Sequence, residues 1–235
     1  MATSSEHVKI TSAGGTFDGY FAAPGGDGAA PGVVVIQEIF GVNSHIRSVV
    51  ERLAGEGYAA LAPDLFWRVR PGIELGYTPD DIAQGREIRG KLNDDEVVED
   101  VRATFEVLGK RPECQGRKLG ITGFCWGGFV TYLAACRLSP AATASYYGGG
   151  IAGFLDEADK IDAPILFHFG EKDASIPLSD VEQVKEKVAG KPDAQVFVYP
   201  EAEHGFHCDQ RGSYQEAAAR QAWARSLELF GKHLR

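Results

Sequence analysis

The sequence predicts an α/β protein with a mostly parallel central sheet and helices on both faces. Two patterns carry that prediction. Apolar, β-branched runs alternate along the chain with segments whose apolar residues recur at helical spacing. One run, Gly32-Val-Val-Val-Ile-Gln37, is apolar almost throughout, as expected of a strand covered on both faces. The chain has 235 residues and 44% apolar content, enough for one sizeable core, and α/β domains of about 200–250 residues are common. No linker-like stretch, repeat or low-complexity tract divides it, so a single domain over 1–235 is expected.

The elements follow in order. Val8–Thr11 and Phe17–Phe21, around Gly14-Gly15, read as an antiparallel edge hairpin. After the Gly32–Gln37 strand, Ser44–Gly57 reads as a helix, with Ser44 as N-cap and Ile46, Val49, Val50 and Leu53 on one face. Tyr58–Ala62 is a short strand closed by Pro63. Asp94–Lys110 is a helix opened by acidic residues, with Val97, Val98, Val101, Phe105 and Val107 as its stripe. Further strands are expected at Lys118–Phe124, Thr143–Tyr147, Ala163–Phe169 and Ala194–Tyr199, and a final helix at Tyr214–Leu234.

Composition narrows the function. A net charge of −9 gives no overall basic field for nucleic acid or anionic lipid. The opening MATSSEHVKI has neither a basic nor an apolar region, so no signal peptide is expected. The run Val33–Ile36 is far short of the ~20 residues that span a bilayer. Four cysteines (Cys114, Cys125, Cys136 and Cys208) do not form a disulfide framework in a chain of this length, and a reduced, cytoplasmic setting is the expectation. Neither a Walker A motif nor a G-x-G-x-x-G fingerprint is present, so no cofactor is expected.

Ligands of open α/β sheets bind at the carboxyl ends of strands. One such end carries Ile121-Thr-Gly-Phe-Cys125-Trp-Gly-Gly128, the nucleophile elbow G-x-S-x-G with cysteine in the serine place. A strand-to-helix turn this sharp strains the nucleophile's backbone and brings positions two residues away into collision, which glycine relieves. A free thiol, with a pKa near ~8.5, is only about 3% thiolate at neutral pH; a helix N-terminus and a neighbouring imidazole both activate it. Taken alone, Cys125 could equally be one more small buried residue, as the other three cysteines are expected to be.

Two further strand ends supply partners. Gly170-Glu-Lys-Asp173 follows the strand at Ala163–Phe169, and His204-Gly-Phe206 follows the strand at Ala194–Tyr199. The order Cys125, Asp173, His204 is the nucleophile–acid–base order of the α/β-hydrolase fold. His204 would move the proton, and Asp173 would hold its second ring nitrogen. Glu171 is a rival acid, and Asp173 could instead cap a helix near Leu178. His204, His207 and Cys208 match no common zinc spacing, so no metal is expected.

Together these segments resemble the dienelactone hydrolase (carboxymethylenebutenolidase) family, from about Val33 to the C-terminus. The marks are Gln37-Glu-Ile-Phe-Gly-Val-Asn43, Tyr58-Ala-Ala-Leu-Ala-Pro-Asp-Leu65, Gly123-Phe-Cys-Trp-Gly-Gly128, Tyr146-Tyr-Gly148 and Glu203-His-Gly-Phe206. The resemblance implies that Glu38 helps generate the thiolate, and that the backbone N–H groups of Ile39 and Trp126 form the oxyanion hole. The elbow motif independently expects a donor from Trp126. The resemblance also implies two arginines that clamp a substrate carboxylate. One corresponds to Arg86, with Gly90 in place of an accompanying tyrosine; the second position is Cys208, with Arg211 and His207 as candidates to compensate. Phe40 and Tyr146 are further candidates for substrate contact. A monomer acting on a small ester or lactone is implied, with no nucleic-acid or membrane partner.

Three readings stand at this point. The first is hydrolysis of an ester or lactone through a Cys125 acyl-enzyme. The second is a non-catalytic small-molecule binder or sensor on the same fold, with which the altered clamp is compatible. The third is a redox thiol protein, although no resolving cysteine is adjacent in sequence.

Overall fold

Residues 3–26, 28–191 and 193–235 are described by the computed structural model. Positions 1 and 2, where the segment read for a leader begins, lie outside them. Among the described residues there are eight strands: β1 (Thr3–Ser12), β2 (Gly15–Pro24), β3 (Gly32–Ile36), β4 (Ala59–Pro63), β5 (Leu119–Phe124), β6 (Thr143–Tyr146), β7 (Ile165–Gly170) and β8 (Ala194–Tyr199). They form one mostly parallel sheet in the order β1-β2-β4-β3-β5-β6-β7-β8. The chain divides into two compact units. One holds the chain up to Ile121 together with Leu234–Arg235; the other is Thr122–His233.

In the first unit, β1 and β2 form the expected antiparallel hairpin, longer than its apolar centre, with Ile10 opposite Phe17. β2 also pairs antiparallel with β4, and β4 runs parallel to β3. All five residues of β3 are buried, as a strand sheathed on both faces must be.

Helix α1 spans Ser44–Gly55, and its cap corrects the sequence expectation. Asn43, not Ser44, is the N-cap: its extended backbone turns the side chain back to accept from the Ile46 N–H at 3.3 Å. Ile46, Val49, Val50 and Leu53 are buried as their spacing predicts.

Helix α2 (Pro79–Arg89) falls where the sequence reading placed no element. Among its residues only Gly85 and Ile88 are buried, so the apolar stripe is too thin to see. Its start signal was present: Thr78 and Asp81 form a reciprocal capping box, and Pro79 occupies the first turn. Helix α3 (Asp94–Lys110) has the predicted bounds, with Asn93 capping the N–H groups of Asp95 and Glu96. Within it the fully buried Asp100 carboxylate accepts from Ser12, from the Trp67 indole at 2.8 Å and from Arg68 in a two-pronged pair at 2.9 Å.

The second unit carries α4 (Trp126–Arg137), a 3-10 segment (Ile151–Lys160), α5 (Leu178–Val188) and α6 (Glu216–Leu234). β6 pairs with β7 and β7 with β8, all parallel. Eleven of the twelve residues of α4 are buried, which explains its uniformly apolar sequence. Among the described residues, no helix is long and apolar enough to cross a membrane.

Candidate active site

Cys125 stands between β5 and α4 with φ 56 and ψ −120, a conformation that L-residues rarely adopt. The turn is held from several sides. The Cys125 N–H donates to the Tyr146 carbonyl at 3.0 Å, and its own carbonyl accepts from Gly128 at 2.9 Å. A Cβ on Gly123 would collide with the Gly127 carbonyl oxygen and the Thr131 hydroxyl; one on Gly128 would collide with the Tyr146 carbonyl. Gly123 and Gly128 are therefore a packing requirement. Cys125 is the N-cap of α4 without a side-chain cap bond, so the thiol lies at the positive end of the helix. Trp126 opens the first turn, where backbone N–H groups have no partner within the helix.

Asp173 and His204 meet at the ends of β7 and β8. The His204 Nδ1 lies 2.7 Å from one Asp173 carboxylate oxygen. The other oxygen accepts from the N–H groups of Ser175 at 2.8 Å and Ile176 at 3.1 Å, so the carboxylate is fixed before it meets the ring. Glu171, the rival acid, is engaged elsewhere: it accepts from the Glu201 N–H at 3.0 Å. The two loops are laced together by Glu171 N–H to the Tyr199 carbonyl and Lys172 N–H to the Ala202 carbonyl, both at 2.9 Å.

The His204 side chain also interacts with Cys125. Burial alone would lower its pKa. The Cys125 charge, the hydrogen bonds to Asp173 and Cys125, and the Asp173 charge outweigh that and raise it to about 10. Both neighbours therefore favour the protonated form of the ring. Tyr147 sets its edge against the His204 ring, centroids 5.2 Å apart at 63°, and itself has a positive φ of 37. The other cysteines are buried; burial pushes the thiols of Cys114 and Cys136 up to about 11.

The remaining candidates fall in different settings. Glu38 and Ile39 follow β3 after Gln37; Glu38 is fully buried and Ile39 half-buried. Phe40 is buried edge-on against Tyr77, and Arg86 is exposed on α2. Tyr146 is fully buried with its hydroxyl 2.7 Å from Ser226, so its side chain is an interior support. Cys208 is buried, and His207 is enclosed by the rings of Phe124, Tyr146 and Trp223. Arg211 lies close over Gly205, whose Cβ would collide with the guanidinium, one residue from His204.

The fold and this strand-end arrangement define an α/β-hydrolase. A family model, the dienelactone hydrolase family, matches residues 17–234. A relative from Synechocystis sp., provisionally named a carboxymethylenebutenolidase, is 42% identical over 226 residues, covering 92% of each chain. The crystal structure of a provisionally named dienelactone hydrolase from Klebsiella pneumoniae superposes with a TM-score of 0.89 at 36% identity, covering 99% of this chain and 100% of that one. A dienelactone hydrolase-like promiscuous phosphotriesterase from metagenomic libraries gives a TM-score of 0.86 at 26% identity over the full length of both. The chain belongs to the dienelactone hydrolase family.

Proposed function

We propose that this protein hydrolyses a carboxylic ester or lactone through a Cys125 acyl-enzyme. The observation that carries the reading is Cys125 in a strained strand-to-helix turn together with His204, whose ring Asp173 holds at 2.7 Å. A thiol protein with a purely structural cysteine has no need of it.

The Cys125 thiolate attacks the carbonyl carbon, and the oxygen that becomes negative is met by the Trp126 N–H at the start of α4. The family resemblance implies a second donor at the Ile39 N–H and a part for Glu38 in generating the thiolate. The tetrahedral species collapses, the C–O bond breaks, and His204 gives its proton to the leaving alkoxide. In a lactone the alkoxide stays tethered to the acyl group. Neutral His204 then takes a proton from water, whose oxygen attacks the thioester; the acid leaves and the thiolate–imidazolium pair is restored. Asp173 holds the ring orientation throughout.

The test is hydrolysis of cis- and trans-dienelactone, neutral lactones, short p-nitrophenyl esters and a phosphotriester by wild type, Cys125→Ala and His204→Ala. Turnover by wild type that falls at least ~10³-fold in both variants is expected. Full activity in either variant overturns the mechanism, and stoichiometric capture without turnover across the panel favours a binder. The phosphotriester is included because a 26%-identical relative is named for that activity.

A further inference from the structure

A buried polar chain in the second unit runs from the surface to the nucleophile turn, and its use is not explained by the chemistry above. His168, in β7, is fully buried, with Nδ1 2.9 Å from the Tyr199 hydroxyl and Nε2 3.1 Å from the Ser226 hydroxyl. Ser226 in turn lies 2.7 Å from the Tyr146 hydroxyl. At the outer end, Arg225 donates to the Tyr199 oxygen at 2.9 Å, its guanidinium stacked 4.0 Å over the Phe197 ring.

The outer cation biases the direction of the bonds further in. A guanidinium only donates, so the Tyr199 oxygen accepts from Arg225 and its O–H is available to donate to His168 Nδ1. A neutral imidazole with Nδ1 accepting carries its proton on Nε2 and donates to Ser226. The Ser226 O–H is then left to point at Tyr146. Burial and the Arg225 charge favour a neutral His168, its pKa lowered to about 3, so the ring carries a single proton across the working range.

The inner end touches both reacting groups. The Tyr146 carbonyl accepts from the Cys125 N–H, and its ring packs 4.7 Å from Phe124, the residue before Cys125. The next residue, Tyr147, donates its N–H to the His168 carbonyl at 2.7 Å and sets its ring against His204. A tilt of residues 146–147 would therefore reach Cys125 through its backbone and His204 through its ring. The strained Cys125 backbone persists only while its surroundings over-determine it. Apolar packing would fill the same space without selecting one orientation of Tyr146; a fully satisfied polar chain selects it.

We propose that Ser226 and His168 are positioning residues for the nucleophile turn, with Arg225 setting the direction of their hydrogen bonds. The proposal rests on Cys125 being the nucleophile. Its test compares wild type, Ser226→Ala, Ser226→Thr and Arg225→Met, each well below its own melting temperature. The readings are kcat and KM on a p-nitrophenyl ester, the pH profile of Cys125 alkylation by iodoacetamide, and the His168 tautomer by 15N NMR.

Ser226→Ala is expected to lower kcat about tenfold or more with KM little changed, and to displace the alkylation profile. Ser226→Thr, which keeps the hydroxyl, restores both. Wild type is expected to carry the His168 proton on Nε2, and Arg225→Met to lose that uniform tautomer. Unchanged kcat and alkylation in Ser226→Ala, whatever its melting temperature, overturns the proposal. So does an Nδ1-protonated His168 in wild type, which remains readable if Ser226→Ala fails to fold. Failure of the nucleophile reading shows separately, as full hydrolysis by Cys125→Ala.

Discussion

Gly170, the last residue of β7, lies so close to Ala202 that a Cβ there would collide with the Ala202 carbonyl oxygen. That approach presses the loop bearing Asp173 against the loop bearing His204, and the 2.9 Å bond from Lys172 N–H to the same carbonyl fixes the spacing. Gly170→Ala must open this junction. A displacement of about 1 Å between acid and base lowers kcat/KM by roughly 10²-fold. Ester hydrolysis by the purified variant, with folding checked by circular dichroism, measures it.

Asp173→Asn keeps the shape of the acid and removes its charge. An amide nitrogen facing His204 Nδ1 favours the wrong tautomer, with the proton directed at Cys125. Loss of kcat on the order of 10³–10⁴-fold is expected, with smaller change in KM. Glu171→Gln, by contrast, removes only the acceptor for the Glu201 N–H and should stay within a few-fold of wild type.

The charged His204 sets the alkaline behaviour. Folded, the ring binds its proton up to about pH 10; in the unfolded chain it titrates near ~6.5. The folded-state pKa is raised, so the stability it contributes is complete below ~6.5 and is lost as pH rises through about 10. Urea midpoints of wild type should therefore fall relative to His204→Gln between pH 7 and 10. The alkaline limb of kcat/KM should lie near 10 as well, as a property of the coupled Cys125–His204 pair.

His168 has the opposite sign. Its folded pKa, about 3, lies below the unfolded value, so its contribution is present above ~6.5 and is lost as pH falls toward 3. The stability difference between wild type and His168→Gln should shrink steadily from pH 7 to pH 4, read from urea unfolding at each pH.

In the first unit, Asp100→Ala strands the Trp67 indole and leaves the Arg68 guanidinium with Glu96 at 3.5 Å as its remaining carboxylate. A loss of about 3–5 kcal/mol is expected on breaking a buried pair from one side, measured by denaturant unfolding.

The parts of this site that were legible in the sequence are those written locally. Cys125 sits in a glycine-bounded turn, and Asp173 and His204 each follow a β-rich run, so strand order alone predicted their company. The choice between Asp173 and Glu171 was not local; it depends on which carboxylate the ring of His204 reaches across the sheet edge. Asn43 and Ser44 are both good caps, and only the backbone conformation at Asn43 decides between them. Helix α2 was hidden because its face is mostly polar, although Thr78-Pro79-Asp80-Asp81 announced its start. The His168–Ser226 bond joins residues 58 positions apart on a strand and a helix, and no spacing rule reaches that far.

Acylation of Cys125 is the step on which the proposed mechanism stands. Wild type mixed with p-nitrophenyl acetate and quenched in acid within the burst should gain one acetyl mass, mapped by peptide digestion to Cys125 and absent in Cys125→Ala. Turnover at the wild-type rate by Cys125→Ala, or an acetyl group on another residue at full turnover, would contradict the account.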